Sequence, residues 1–412
     1  MEKAFAKAHG DYTAIESGFT GEGVEDLTGG VTSELMVTDI LDRDRFWRED
    51  LLHVNKELLF AGSINGVKAP IVSGIVTGHA YSVLQAVEAN GVRLVQLRNP
   101  WGQTEWDGAW SDGSPEWTAE WMTLLKHKFG DDGSFWMTYT DFLRTFSMVN
   151  RTRIFTPEWT VAQRWTVDVA AWPSTFSAQE FTFSLAQRSP VVLVLQQVDN
   201  RYFVGLDGLY DFQLHFRVRR EGERNYHARS KQTLGMSRSA NKEITLDAGT
   251  WVVSYKISRR PSGRKSRDAY VAGFSSGQSQ KFMHIARSYD YAMARGLLAE
   301  DEADEEEAEE EEADEEPEEE EEEEGEEDAE AEAKEEEAEE TEEAEDPNEV
   351  DTHVVLGLRV YAKDSSLKVR LVAADSVDQE LDPDDSCVHS YLNNASDKTL
   401  FLSTSLGSIS LN

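Results

Sequence analysis

Apolar residues recur at helical spacing near the start of the chain and at alternating positions later, with one long interruption that is almost purely acidic. Phe5, Ala8 and Tyr12 predict a short amphipathic helix within residues 1–16. In residues 39–60, Ile40, Phe46, Trp47, Leu51, Leu52, Leu58 and Leu59 make a second helical stripe. Between them SGFTGEGVEDLTGGVT, with five glycines in 16 residues, reads as a loop. From Ile71 to about Tyr139 the pattern turns to strands punctuated by Gly, Pro and Trp, which predicts a small α/β unit. From about Arg153 the chain reads as all-β. PVVLVLQQVD, YDFQLHFRVRR, GTWVVSYKISR and HVVLGLRVYAK are short, β-branched and aromatic, and their spacing predicts an antiparallel sandwich.

Charge alters this picture in one place. Residues 300–346 hold 35 Asp/Glu and one Lys, so this run carries −34 of the formal net charge of −39 and leaves −5 elsewhere. The acidity belongs to a low-complexity, self-repelling insertion, expected to be disordered or at most a solvated helix. It argues against a nucleic-acid partner. An inert spacer, a surface for a basic partner and a weak calcium-collecting surface all remain open. The strand after the run, HVVLGLRVYAK, is expected to rejoin the sandwich, because alone it would expose an apolar edge. Closing an excursion of about 50 residues costs only roughly 1–2 kcal/mol more than a short turn. The expected organisation is an α+β unit at 1–150, a sandwich at 151–299, the acidic insertion at 300–346, a return of the sandwich at 347–375 and an extension at 376–412.

No apolar run reaches the roughly 18–20 residues of a membrane span. The start, MEKAFAKAHGDYTAIE, has no signal-peptide core, and a single cysteine, Cys387, allows no intrachain disulfide. A cytoplasmic protein is expected.

The chemistry concentrates in GHAYSVLQAVEANGVRLVQLRNPW, residues 78–101, where Asn90-Gly91 separates two alternating runs and predicts a hairpin. A two-residue loop would pair Ser82 with Asn99 and put His79 on the opposite face. A three-residue loop, Ala89 to Gly91, pairs Tyr81 with Asn99 and brings His79 to the same face. If His79 and Asn99 work together the second register is expected, although one bulge would reverse the choice. Such a pair suits thiol catalysis: the imidazole takes the thiol proton, and the amide oxygen holds the other ring N–H. Trp101 is placed to shield that hydrogen bond.

GHAYSV followed by RLVQLRNPWGQTEWDGAWSD resembles the His-and-Asn signature of the calpain family of cysteine proteases. EKAFAKAHGDYTAIESGFTGEGVEDLTGG resembles the helix and loop joining the two calpain protease subdomains, and DGSFWMTYTDFLRTF the closing segment. The sandwich strands, VVLVLQQVDNRYF and GLRVYAK among them, resemble the calpain third domain. The resemblance implies half of a papain-like protease domain followed by that sandwich, and limited proteolysis through a thioester. His79 would be base and then acid, Asn99 its orienter and Trp101 the shield. It also implies that the nucleophile lies upstream of Met1, so that the chain alone is inactive; Cys387, among carboxylates that suppress thiolate, is no substitute. A non-catalytic interaction protein, or a fragment completed by a Cys-bearing chain, is the alternative.

The resemblance further implies calcium, held by Glu105, Asp112 and Asp132. Ser134 stands where the family has another acid, and calcium wants six to eight oxygens, so the site is expected to be weak.

Overall fold

The computed structural model describes residues 1–66, 69–231, 234–274, 279–312 and 352–373, and for 297–312 the backbone alone. The expected first helix is α1 (Glu2–Ala8). The glycine-rich stretch is not a loop but helix α2 (Thr20–Thr28), ended by Gly29 at φ 68°. Gly21 serves packing: a Cβ there would lie 2.5 Å from Met236 Sδ and 2.7 Å from Thr32 Cγ2. A helix that approaches its neighbours this closely has no room for a side chain there.

Strand β1 (Val31–Met36) follows. The long helical stripe expected over 39–60 is broken. It contains a three-residue helix α3 (Arg43–Arg45), a π turn (Phe46–Asp50) and a 3₁₀ turn (Leu51–His53). The chain then reverses at Asn55, φ 59°, into strand β2 (Leu58–Ser63). A short apolar run suits a buried strand as well as a helix, and the pairing on both sides of β2 decides for the strand.

The remaining strands of this unit are β3 (Ile71–Val72), β4 (Ile75–Val76), β5 (Ala80–Ala89), β6 (Val92–Arg98), β7 (Ser134–Thr138) and β8 (Met148–Arg153). Helix α4 (Ala119–Leu125) precedes β7, and α5 (Tyr139–Thr145) follows it. The main sheet runs β1-β8-β2-β5-β6-β7, and β3 and β4 form a separate ribbon. Trp47, Tyr81, Phe135 and Phe142, all fully buried, anchor its core.

The second unit contains β9 (Thr160–Val169), β10 (Phe176–Leu185), β11 (Ser189–Gln197), β12 (Tyr210–Arg220), β13 (Tyr226–Arg229), β14 (Ser239–Leu246) and β15 (Gly249–Pro261). Two helices then interrupt the all-β pattern: α6 (Arg267–Ala272) and α7 (Ser279–Glu312). Ile285, Tyr289 and Met293 of α7 recur every fourth residue and pack with Phe203 and Leu206, a helical signal missed among the strand patterns. Residues 300–312 of the acidic run continue α7. The rest of that run, the extension at 376–412 and Cys387 lie outside the described residues.

Beyond the run, β16 (His353–Ala362) pairs with β11 on one side and β9 on the other. Strand β17 (Val369–Ala373) joins the facing sheet beside β10. The sheets, β14-β11-β16-β9 and β13-β12-β15-β10-β17, enclose one core. Strand β11 reads as unbroken Val and Leu because both its faces are covered. Val191, Leu193 and Leu195 face that core, whereas Val192 and Val194 pack with Val31 of β1.

Because β16 is an interior strand, its side chains are expected to carry stability of the whole sandwich. Leu358→Ala should cost about 2–5 kcal/mol in urea unfolding, the usual range for a fully buried leucine. Ending the chain after Ala299 should abolish the cooperative melting of the sandwich. A Leu358→Ala protein that unfolds like the parent would remove β16 from the core.

Candidate active site

Strands β5 and β6 are joined by a two-residue turn, Asn90-Gly91, with φ of 49° and 75° as a type I′ hairpin requires. The three-residue loop expected from the sequence does not form; Ala89 pairs directly with Val92. Carried on unbroken, that register would place Ser82 against Asn99. It shifts instead between Val83 and Gln85, leaving Leu84 as a bulge. The Leu84 carbonyl accepts from Asn55 Nδ2 at 2.6 Å. Ser82 consequently pairs with Arg98, the end of the ladder, and the same register extended by one residue would set Tyr81 opposite Asn99. Turn and bulge together achieve what the longer loop was expected to do.

The two side chains meet: His79 Nε2 lies 2.9 Å from Asn99 Oδ1. Asn99 is fully buried, and its partners fix the orientation of the amide. Its Oδ1 also accepts the Trp101 N–H at 3.1 Å, while Nδ2 donates to the carbonyls of Gln103 at 2.6 Å and Thr104 at 3.1 Å. Reversing the amide would set donor against donor and acceptor against acceptor. His79 Nε2 is therefore the donor, and in the neutral ring Nδ1 carries the lone pair. Trp101 lies against the imidazole, ring centroids 4.1 Å apart and planes at 31°, and remains 59% exposed itself. It covers one face of the His79 ring.

The acidic residues form a neighbouring loop cluster. Glu105 Oε1 accepts the Gly133 N–H at 2.8 Å, and Asp132 Oδ1 accepts that of Ser134 at 2.8 Å. Asp112 accepts the Gly130 N–H at 2.8 Å and faces His127 Nε2 at 2.8 Å. Burial raises the pKa of Glu105, and the charges of Asp112, Asp132 and Asp131 push it the same way. The ligand oxygens of Glu105, Asp112 and Asp132 do not all lie within 4.8 Å of one another, a spacing met among the described residues by His9, Asp26 and Asp199.

Residues 1–153 match the family described as calpain family cysteine protease. Over these residues the chain is similar to that family. The chain is 44% identical over 172 residues to calpain-type cysteine protease DEK1 of Zea mays, a match covering 38% of this chain and 8% of the maize protein. It is 38% identical over 180 residues to the calpain-1 catalytic subunit of Bos taurus, covering 40% of this chain and 24% of the bovine protein. The chain thus spans less than a quarter of the length of these relatives.

Within residues 1–153, several positioning groups escaped sequence reading. Asn55 lies 29 residues from the bulge it supports, with no local signal. Gly133, at φ 82°, has no room for a Cβ, which would sit 2.6 Å from the Asn99 carbonyl. Its carbonyl accepts the Asn99 N–H at 2.8 Å; the Asp-Asp-Gly sequence signals a turn there but not this contact. Tyr81 is fully buried, takes the Val76 N–H on its hydroxyl at 2.9 Å and lies 3.4 Å from Asn99 Nδ2.

Removing the Asn99 amide should strand these buried groups. Asn99→Ala is expected to lower stability by about 1–3 kcal/mol in urea unfolding. In the parent, ¹⁵N NMR should show neutral His79 protonated on Nε2, and in Asn99→Ala a mixture of tautomers. A parent ring protonated on Nδ1 would contradict the orientation derived above.

Proposed function

We propose that this chain carries the base-and-orienter half of a calpain-like cysteine endopeptidase acting in limited proteolysis in the cytoplasm. The observation supporting this reading is the His79–Asn99 hydrogen bond, which leaves Nδ1 as the basic nitrogen. No helix among the described residues is long and apolar enough to cross a membrane.

In this reading a thiol facing Nδ1 gives its proton to His79, and the thiolate attacks the peptide carbonyl. The imidazolium then protonates the leaving amine as the thioester forms. Water, deprotonated by the same nitrogen, hydrolyses the thioester and restores the thiol. Asn99 holds the ring throughout, and Trp101 keeps solvent from one side of it. No thiol lies among the described residues, so a Cys-bearing calpain subdomain is proposed to supply it.

The chain alone should not cleave casein. Hydrolysis should appear when the Cys-bearing subdomain of a calpain is added as a separate chain. His79→Ala should reduce the reconstituted rate by at least about 10²–10⁴, the range for a general acid–base group. Activity unaffected by His79→Ala, or activity of the chain alone that vanishes in Cys387→Ala, would refute the assignment. Failure to reconstitute with any such subdomain would favour a binding protein that uses the sandwich and acidic run.

Calcium is proposed as the accompanying cofactor, held by Glu105, Asp112 and Asp132, whose oxygens would have to draw closer than they stand here to share one ion. The fit rests on Glu105, a partly buried carboxyl disfavoured as an anion by burial and by three acidic neighbours. A bound cation would reverse that balance and supply charge neutralisation. Ser134→Glu should tighten calcium binding about tenfold, near 1.4 kcal/mol, if the count of carboxylates sets affinity. Titrating the chain with residues 300–346 deleted reads this site apart from the acidic run. Unchanged or weaker affinity in the variant would mean that the loop does not converge on an ion.

A further inference from the structure

A second cluster lies away from His79, where residues 1–153 meet the sandwich. His9 follows the last turn of α1 and is 97% buried, with its ring stacked on Tyr202 at 4.1 Å. Its Nδ1 lies 2.9 Å from the Phe5 carbonyl, which can only accept, so Nδ1 bears the proton and Nε2 the lone pair of the neutral ring. Nε2 is buried and has no hydrogen-bond partner. One ring nitrogen of His9 and one carboxylate oxygen each of Asp26, on α2, and Asp199, just after β11, fall within 4.8 Å of one another. Because the Phe5 carbonyl takes Nδ1, Nε2 is the nitrogen left to complete a cation site with the two carboxylates.

The carboxylates are already aimed by groups outside the trio. Arg238 donates to Asp26 at 2.6 Å and to Asp199 at 2.9 Å, and it also holds Glu25 at 2.7 Å. Asp199 caps the turn Asn200–Phe203 by accepting the Arg201 N–H at 3.0 Å. A histidine whose other nitrogen is fixed by a carbonyl, beside carboxylates fixed by a guanidinium, is the outer support that metal ligands usually have.

We propose that His9, Asp26 and Asp199 form a site for a divalent cation of the zinc class. The nitrogen ligand separates it from the oxygen-rich sites calcium prefers, and one imidazole with two carboxylates is a set that zinc-class ions accept. Arg238 offsets one of the three charges of Glu25, Asp26 and Asp199, and a divalent ion would offset the remaining two. The ligands come from the end of α1, from α2 and from the loop after β11, so the ion would fasten residues 1–153 to the sandwich.

The test uses the full chain with Cys387→Ser, stripped by chelator and titrated with cobalt(II) in excess calcium, added to compete for the acidic run. One equivalent is expected to give visible d–d absorption, be displaced by zinc and raise the melting temperature. His9→Gln and Asp26→Asn should each weaken binding by at least about 100-fold. In the parent chain, zinc should shift the His9 Nε2 ¹⁵N resonance, a readout that needs no variant to fold. An unshifted His9 ring, or cobalt binding unchanged by His9→Gln, overturns the proposal.

Discussion

A buried primary amide is costly unless each of its polar atoms is paired, and that requirement organises the site around Asn99. Its oxygen receives His79 Nε2 and the Trp101 N–H, and its nitrogen faces the carbonyls of Gln103 and Thr104 and the hydroxyl of Tyr81. These partners come from the start of β5, from within β5 and from the loop after β6. The amide therefore sets the hairpin end, the loop path and the imidazole tautomer together. Any chemistry at His79 Nδ1 inherits its proton placement from those carbonyls.

Gly133 extends this arrangement to the acidic loop. Its carbonyl takes the Asn99 N–H, and its own N–H goes to Glu105. One residue thus touches both the orienter of the imidazole and the most electrostatically stressed carboxyl of the loop.

The junction between the two units is held by a different kind of contact. Glu34 accepts the backbone N–H groups of Leu234, Gly235 and Met236, and Asn241 bridges Ser33 and the Thr32 carbonyl. Arg151 links Asp50 to Glu243, and Arg238 gathers Glu25, Asp26 and Asp199. Burial pushes the Glu22 carboxyl up to about 7 despite the nearby Arg238 and Arg201. Desolvated pairs of this kind contribute little net stability, but breaking one leaves a buried charge uncompensated, so they favour a single docking geometry over sliding alternatives. The apolar contact of Val31 with Val192 and Val194 adds affinity without direction.

The sequence by itself determined what depends on local pattern. Short β-branched and aromatic runs marked the sandwich strands, the acid run stood out by composition, and GHAYSV with RNPW named His79, Asn99 and Trp101, which the structure places side by side. Only the tertiary structure decided which residues share a face and which segments become helix. The glycine-rich stretch is α2 because Gly21 must pass close to Thr32 and Met236, partners far from it in the chain. Residues 58–63 are a strand because β5 and β8 offer their edges on either side. The His79–Asn99 register follows from a bulge at Leu84 supported by Asn55 from outside the hairpin. Period and propensity report on neighbours within a few residues, whereas a bulge, a close helix approach and a strand edge are completed by groups the local sequence does not contain.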